Sequence, residues 1–167
     1  TRSTDRSWVV IQKLHHAAYR CRDSEETRQF YEDFLGLPST HAFEITTTAT
    51  GHQAEVLHTF YELDDGSSLA FFEAPKQPFN FKNQHDFDLH IALEVSRDVL
   101  LDKFETGRRC GIETRGITDH GFIESIYFRD PNGYVIELTA KTTQSPVNES
   151  AARNALNAWQ ASKSDSI

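Results

Sequence analysis

The chain has 167 residues, a formal charge of −8 and a pI of about 5.4. That length suits one domain of ordinary size, and 38% hydrophobic residues can furnish a core. The acidic balance excludes an electrostatically held nucleic-acid partner. The two cysteines, Cys21 and Cys110, stand far apart in no metal or redox spacing, which fits a reducing compartment. No apolar run has the length of a membrane span and no signal-peptide pattern is seen, so a soluble cytoplasmic protein without a membrane partner is expected.

In chain order, residues 1–8 are a polar leader, and Val9 to Cys21 reads as a first strand. A helix signal follows: Asp23 or Ser24 as N-cap, Glu25 and Glu26 in the first turn, and Phe30, Tyr31, Phe34 and Leu35 at helical spacing. Gly36 stops it. Strands are predicted at His41–Thr48, Ala54–Leu63 and Ser68–Ala74, with Asp64-Asp65-Gly66 as the hairpin turn between the last two. A linker at 76–87 carries Phe79, Phe81 and Phe87, and Asn80 to Gln84 reads as a lid.

The element order then repeats. A strand spans Asp88–Val95, and Ser96 caps a helix that stops near Gly111. Strands follow at Ile112–Gly116, Phe122–Phe128 and Tyr134–Ala140. The expected fold is α+β: two tandem βαβββ modules, at 9–75 and 88–142, forming a curved, half-open mixed β-barrel around a metal site. Residues 143–167 form a C-terminal helical extension, with Leu156 and Trp159 as apolar contacts on the body or on a partner subunit.

Three residues hold matching places in the repeat. His16 lies in the first strand of module one, His90 in the first strand of module two, and Glu137 in the last strand of module two. In both first strands an Ala follows two residues after the His, on the same face, and leaves room near the ring. A carboxylate in mid-strand among apolar residues needs a cation or strong donors. A lone strand histidine is more often a packed or surface residue. Two at equivalent positions, with Glu137, read as a two-His, one-carboxylate metal set. Fe(II) is the first expectation, and the same ligands accept Mn, Zn, Ni or Co.

LHHAAYRCRDSEETRQFYEDFLGL and FRDPNGYVIEL resemble the opening and closing motifs of the vicinal oxygen chelate superfamily, which includes glyoxalase I, bleomycin- and fosfomycin-resistance proteins and extradiol ring-cleaving dioxygenases. The resemblance covers about residues 10–142. It selects His16 over His15, because Asp23 lies seven residues on, and it makes Glu137 the carboxylate ligand. It also implies a homodimer.

Thr118-x-His120, Ile126-Tyr127, Asp130-Pro131-x-Gly133 and Glu137 resemble the extradiol dioxygenase signature. The resemblance implies catalytic roles for Tyr127, hydrogen-bonding a substrate oxygen, and for His120. A hairpin aromatic and a solvated loop histidine are the plain alternatives. The glyoxalase branch carries a fourth ligand where Ala70 stands here. The extradiol branch carries an acid–base histidine where Ser67 stands, which leaves His52, His58 or His85 to replace it. Ser67, Ala70 and Phe72 are expected to line the substrate site.

The function expected is extradiol-type cleavage of a catechol-like aromatic diol with O2. The alternatives are a non-redox glyoxalase-like lyase or isomerase, and a metabolite- or drug-binding resistance protein.

Overall fold

The computed structural model describes residues 10–144 and 147–164. The expected leader at 1–8 lies outside the described residues, as does Val9, the first residue of the predicted opening strand.

The first module holds β1 (His16–Cys21), α1 (Ser24–Arg28), β2 (Ser39–Thr47), β3 (Gln53–Glu62) and β4 (Ser68–Glu73). Asp23 caps α1 through its carboxylate, which accepts from the Glu26 N–H at 2.8 Å. The helix continues as a π-helical stretch over Gln29–Phe34, which turns Phe30 and Tyr31 into the core. Gly36, at φ 85°, ends it. β1 is shorter than the sequence suggests: pairing with β4 begins at His16, just after the His15 carbonyl accepts from the Ser68 N–H at 3.0 Å.

The second module holds β5 (His90–Glu94), α2 (Arg97–Arg109), β6 (Thr114–Asp119), β7 (Ile123–Arg129) and β8 (Val135–Lys141). Ser96 caps α2 by accepting from the Val99 N–H at 3.3 Å. The terminal helix α3 (Glu149–Ser164) follows, with Leu156 and Trp159 exposed. Among the described residues, no helix is long and apolar enough to cross a membrane.

Each module forms one four-stranded mixed sheet, ordered β1-β4-β3-β2 and β5-β8-β7-β6. β1 pairs with β4, and β5 with β8, in parallel; the other pairs are antiparallel. A parallel pair cannot be joined by a tight turn, so the intervening helix crosses over one face and covers it. The sheets curve without closing into a barrel.

The covered faces of both sheets share one core. Tyr61, Leu69 and Phe71 belong to the same buried cluster as Ile91, Leu93, Ile126, Ile136 and Leu138. Phe34 meets Phe128 edge-on at 5.1 Å. The join is also polar: Tyr31 donates to Asp130 at 2.8 Å, Tyr134 to the Arg20 carbonyl at 2.8 Å, and the Arg22 N–H to Asn132 at 2.9 Å. Strand alternation therefore turns His16, and separately His90 and Glu137, away from the shared core.

The linker is pinned rather than free. The N–H groups of Lys82 and Gln84 donate to the carbonyls of Asn132 and Gly133 at 2.8 and 2.9 Å. Residues 80–84, read in the sequence as a lid, thus lie bonded over the Asp130–Gly133 turn.

Candidate metal and substrate site

The second module presents a connected row of polar groups on its open face. Glu137 in β8 is only 5% exposed. Its Oε2 lies 3.2 Å from Nε2 of His90. Residue pairing sets Ala92, and not a larger residue, beside Glu137. The other ring nitrogen of His90, Nδ1, lies 2.7 Å from the Asp86 carbonyl. A carbonyl only accepts, so Nδ1 carries the proton. In the neutral ring Nε2 is then a lone pair facing a buried carboxylate. Two acceptors at that distance need a cation or a proton between them. The donor set, an outward-locked imidazole and a buried carboxylate, fits a divalent metal, and the Asp86 carbonyl is the outer partner that fixes the imidazole.

Tyr127 in β7 pairs across the sheet with Glu137. Burial raises its phenol pKa above the usual value, and the Glu137 charge adds to the effect. Its hydroxyl lies 3.1 Å from His120 Nε2. The Arg115 guanidinium stands 5.1 Å from the Tyr127 ring and holds Asp86 through two bonds, at 2.8 and 3.0 Å. Asp86 is thereby kept below the usual carboxylate range, chiefly by the hydrogen bonds from Arg115.

The first module presents a different face. His16 shares it with Ala70, Phe72, His58 and Phe60, as the strand pairings require. His16 and His15 approach through their Nδ1 atoms at 2.8 Å. Ser67 lies apart from this face: its N–H and hydroxyl both go to the Asp65 carboxylate within the turn. Glu73 faces the core side and accepts from the Ser24 N–H at 2.7 Å. Of the three spare histidines, His58 alone stands on the His16 face. His52 sits in the β2–β3 turn and His85 bonds the Phe87 N–H in the linker.

The structure thus brings together His90, Glu137, Tyr127 and His120, and groups His16 with Ala70 and Phe72. It does not bring the two groups together within one chain. Among the described residues, no three His, Cys, Asp or Glu side chains form a metal-holding group. Sequence reasoning missed Asp86 and Arg115. Asp86 lies in the linker and belongs to no periodic pattern; Arg115 lies in a predicted strand, but only its pairing beside Tyr127 and the folded linker bring it to Asp86.

The sequence pattern of the Glyoxalase/Bleomycin resistance protein/Dioxygenase superfamily matches residues 13–138. The chain belongs to this superfamily. Solved superfamily-like structures share its fold at low identity. A glyoxalase/dioxygenase from Nostoc punctiforme is 22% identical, with TM-score 0.61, over 79% of this chain and 92% of that one. A glyoxalase family protein from Enterococcus faecalis is 20% identical, with TM-score 0.60, over 78% and 99%. A mutant of the fosfomycin resistance protein FosX from Listeria monocytogenes, complexed with Mn(II) and 1S,2S-dihydroxypropylphosphonic acid, is 20% identical, with TM-score 0.58, over 79% and 94%. Among curated protein sequences, none matches the chain. Membership in this superfamily fixes the architecture and leaves the reaction open, since one fold hosts many chemistries.

Proposed function

We propose that the protein is a divalent-metal enzyme that binds two adjacent oxygens of a small substrate. In this reading His90 and Glu137 of one copy and His16 of a second copy hold the metal. The observation that carries it is the 3.2 Å approach of the His90 lone pair to the buried Glu137 carboxylate. The separate placement of His16 supports a homodimer, with the open face of module one laid over the open face of module two. Exposed apolar residues on the first module and its approach, namely Val10, Ile11, Leu14 and Phe43, would be covered by such a contact. The place of action is the cytoplasm.

The finer reading is extradiol-type ring cleavage of a catechol-like aromatic diol with O2, with Fe(II) as the metal. When bound, the metal supplies Lewis acidity and a template for the substrate oxygens. Tyr127 hydrogen-bonds a substrate oxygen, and His120 orients that hydroxyl. Phe72 shapes the wall beside the ring, backed by the fully buried Ala70. The engagement of Ser67 with Asp65 favours the second reading, a non-redox lyase or isomerase, because the acid–base position of the extradiol branch is then filled by a group turned elsewhere.

Complementation tests the shared site. His16→Ala and Glu137→Ala proteins should each lose the metal. Mixed and exchanged in equal amounts, they should regain roughly a quarter of the wild-type metal, because each mixed dimer holds one intact site of two. No recovery, with dimers present, would place all ligands in one chain or deny the set. Oxygen uptake by Fe(II)-loaded protein with a panel of catechols then separates the reactions. Uptake with a ring-opened product supports the dioxygenase; metal binding without uptake supports the lyase or isomerase.

A further inference from the structure

His58 is a buried imidazole with one nitrogen committed and one left over. The residue is 5% exposed. Its Nδ1 lies 2.9 Å from the Phe71 carbonyl, so Nδ1 bears the proton and Nε2 is an acceptor. The ring lies flat on Phe72, with centroids 3.7 Å apart and planes 8° from parallel. Phe60 and Phe43 close its other sides at 4.4 and 5.4 Å. These contacts fix both the tautomer and the ring plane. No group among the described residues takes Nε2.

A strand position buried among three phenylalanines needs no imidazole for packing. Although the residue is buried as a whole, Nε2 is not sealed off and reaches the solvent side of the sheet, where a ligand donor can meet it. The ring of His16 stands 6.5 Å away, edge to face. That separation is too long for a bond between the two imidazoles and short enough for one small ligand to touch both. Strand pairing also sets Ala70 next to Phe60, so that only a small, buried methyl lies beneath the rings.

We infer that His58 is a substrate-binding residue: its Nε2 accepts a hydrogen bond from a hydroxyl of the aromatic substrate, whose ring rests against Phe43, Phe60 and Phe72. This rests on the metal-site reading above and extends it. It gives module one a role in choosing the substrate besides supplying His16. A planar substrate bearing a hydroxyl donor fits the box; a fully ionised or purely apolar one leaves Nε2 unmatched.

The test uses full-length protein loaded with Mn(II) under nitrogen and titrated with 4-nitrocatechol, whose absorbance reports binding. His58→Phe keeps the stack on Phe72 and removes the acceptor; His58→Gln restores an acceptor near the place of Nε2. The expected result is unchanged Mn(II) content in both variants, roughly tenfold weaker 4-nitrocatechol binding in His58→Phe, and recovery of most of that loss in His58→Gln. Wild-type affinity in His58→Phe overturns the inference alone. Loss of Mn(II) in His58→Phe overturns it as well, by making His58 a support of the metal. A wild-type protein that takes up Mn(II) but not 4-nitrocatechol sinks the diol reading and this inference together, and one that takes up no Mn(II) sinks the metal site itself.

Discussion

Tyr31 and Asp130 meet across the join between the modules, hydroxyl to carboxylate at 2.8 Å, with the tyrosine fully buried. Asp130 also accepts from the N–H groups of Asn132 and Tyr134, at 2.9 and 2.8 Å. One carboxylate thus shapes the β7–β8 turn and fastens the helical segment of the other module. Tyr31→Phe leaves Asp130 one donor short in a buried place. It should lower unfolding free energy by about 1–3 kcal/mol, measured by urea denaturation. Unchanged stability would mean that the contact is replaced by water.

The same carboxylate predicts a pH effect. Burial raises the pKa of Asp130 above 3.8, and its hydrogen bonds only partly oppose this. A folded-state pKa above the unfolded value means that the native protein binds more protons between the two. The contribution of Asp130 to stability is therefore full below the unfolded value, and is lost as pH rises through the folded one. Wild type should lose stability relative to Asp130→Asn across that window. Denaturation curves at several pH values test it; a difference that is flat with pH, or grows the other way, would refute the assignment.

Gly133 sits at φ 96°, and a Cβ there would fall 2.5 Å from the Asn83 nitrogen and 2.8 Å from the Lys82 nitrogen. Gly133→Ala therefore suffers both backbone strain and a clash with the pinned linker. It should cost about 2 kcal/mol or more. Because the linker leads into Asp86, metal affinity should fall as well. Calorimetry for melting and Mn(II) titration for affinity read the two effects separately.

Arg115 acts on His90 at one remove, through Asp86. Arg115→Met should free Asp86, loosen its carbonyl from His90 Nδ1, and weaken metal binding by up to about tenfold without abolishing it. The carboxyl of Asp86, followed by NMR, should move upward toward the ordinary range. Full retention of metal affinity would show that the linker backbone holds His90 without help from Arg115.

Removal of the metal should act on assembly as well as on each chain, if the ligands come from two copies. Chelation should lower the melting temperature and make it more dependent on protein concentration. Sedimentation at micromolar concentration, with and without chelator, checks the second effect.

Much of this arrangement was legible in the sequence. Alternation placed His16 with Ala18, and His90 with Ala92, on one face, and the Asp-Pro-Asn-Gly turn fixed where β8 begins. The boundaries drifted where tertiary pairing decides: β1 starts at His16, since pairing with β4 begins at Ser68. Glu137 stood out as a carboxylate among apolar residues, and the structure meets it with His90 and Tyr127. The separation of His16 from them could not be read, because periodicity tells which way a side chain points along its own sheet and says nothing of how two sheets are set. His58 was legible only as one of three histidines that could replace the missing acid–base group; its tautomer is fixed by the Phe71 carbonyl, a contact no sequence pattern shows.

β1 and β5, the strands that carry His16 and His90, each stand at the margin of their sheet. A marginal strand keeps one row of backbone donors and acceptors unclaimed by the sheet, ready to template pairing with whatever chain arrives first. Two of the three strands that carry the proposed ligands therefore lie at sheet edges, as do β2 and β6, while β8 with Glu137 is paired on both sides. A newly made chain without a second copy is consequently the species most exposed to wrong pairing, and refolding yield should depend on how soon two chains meet.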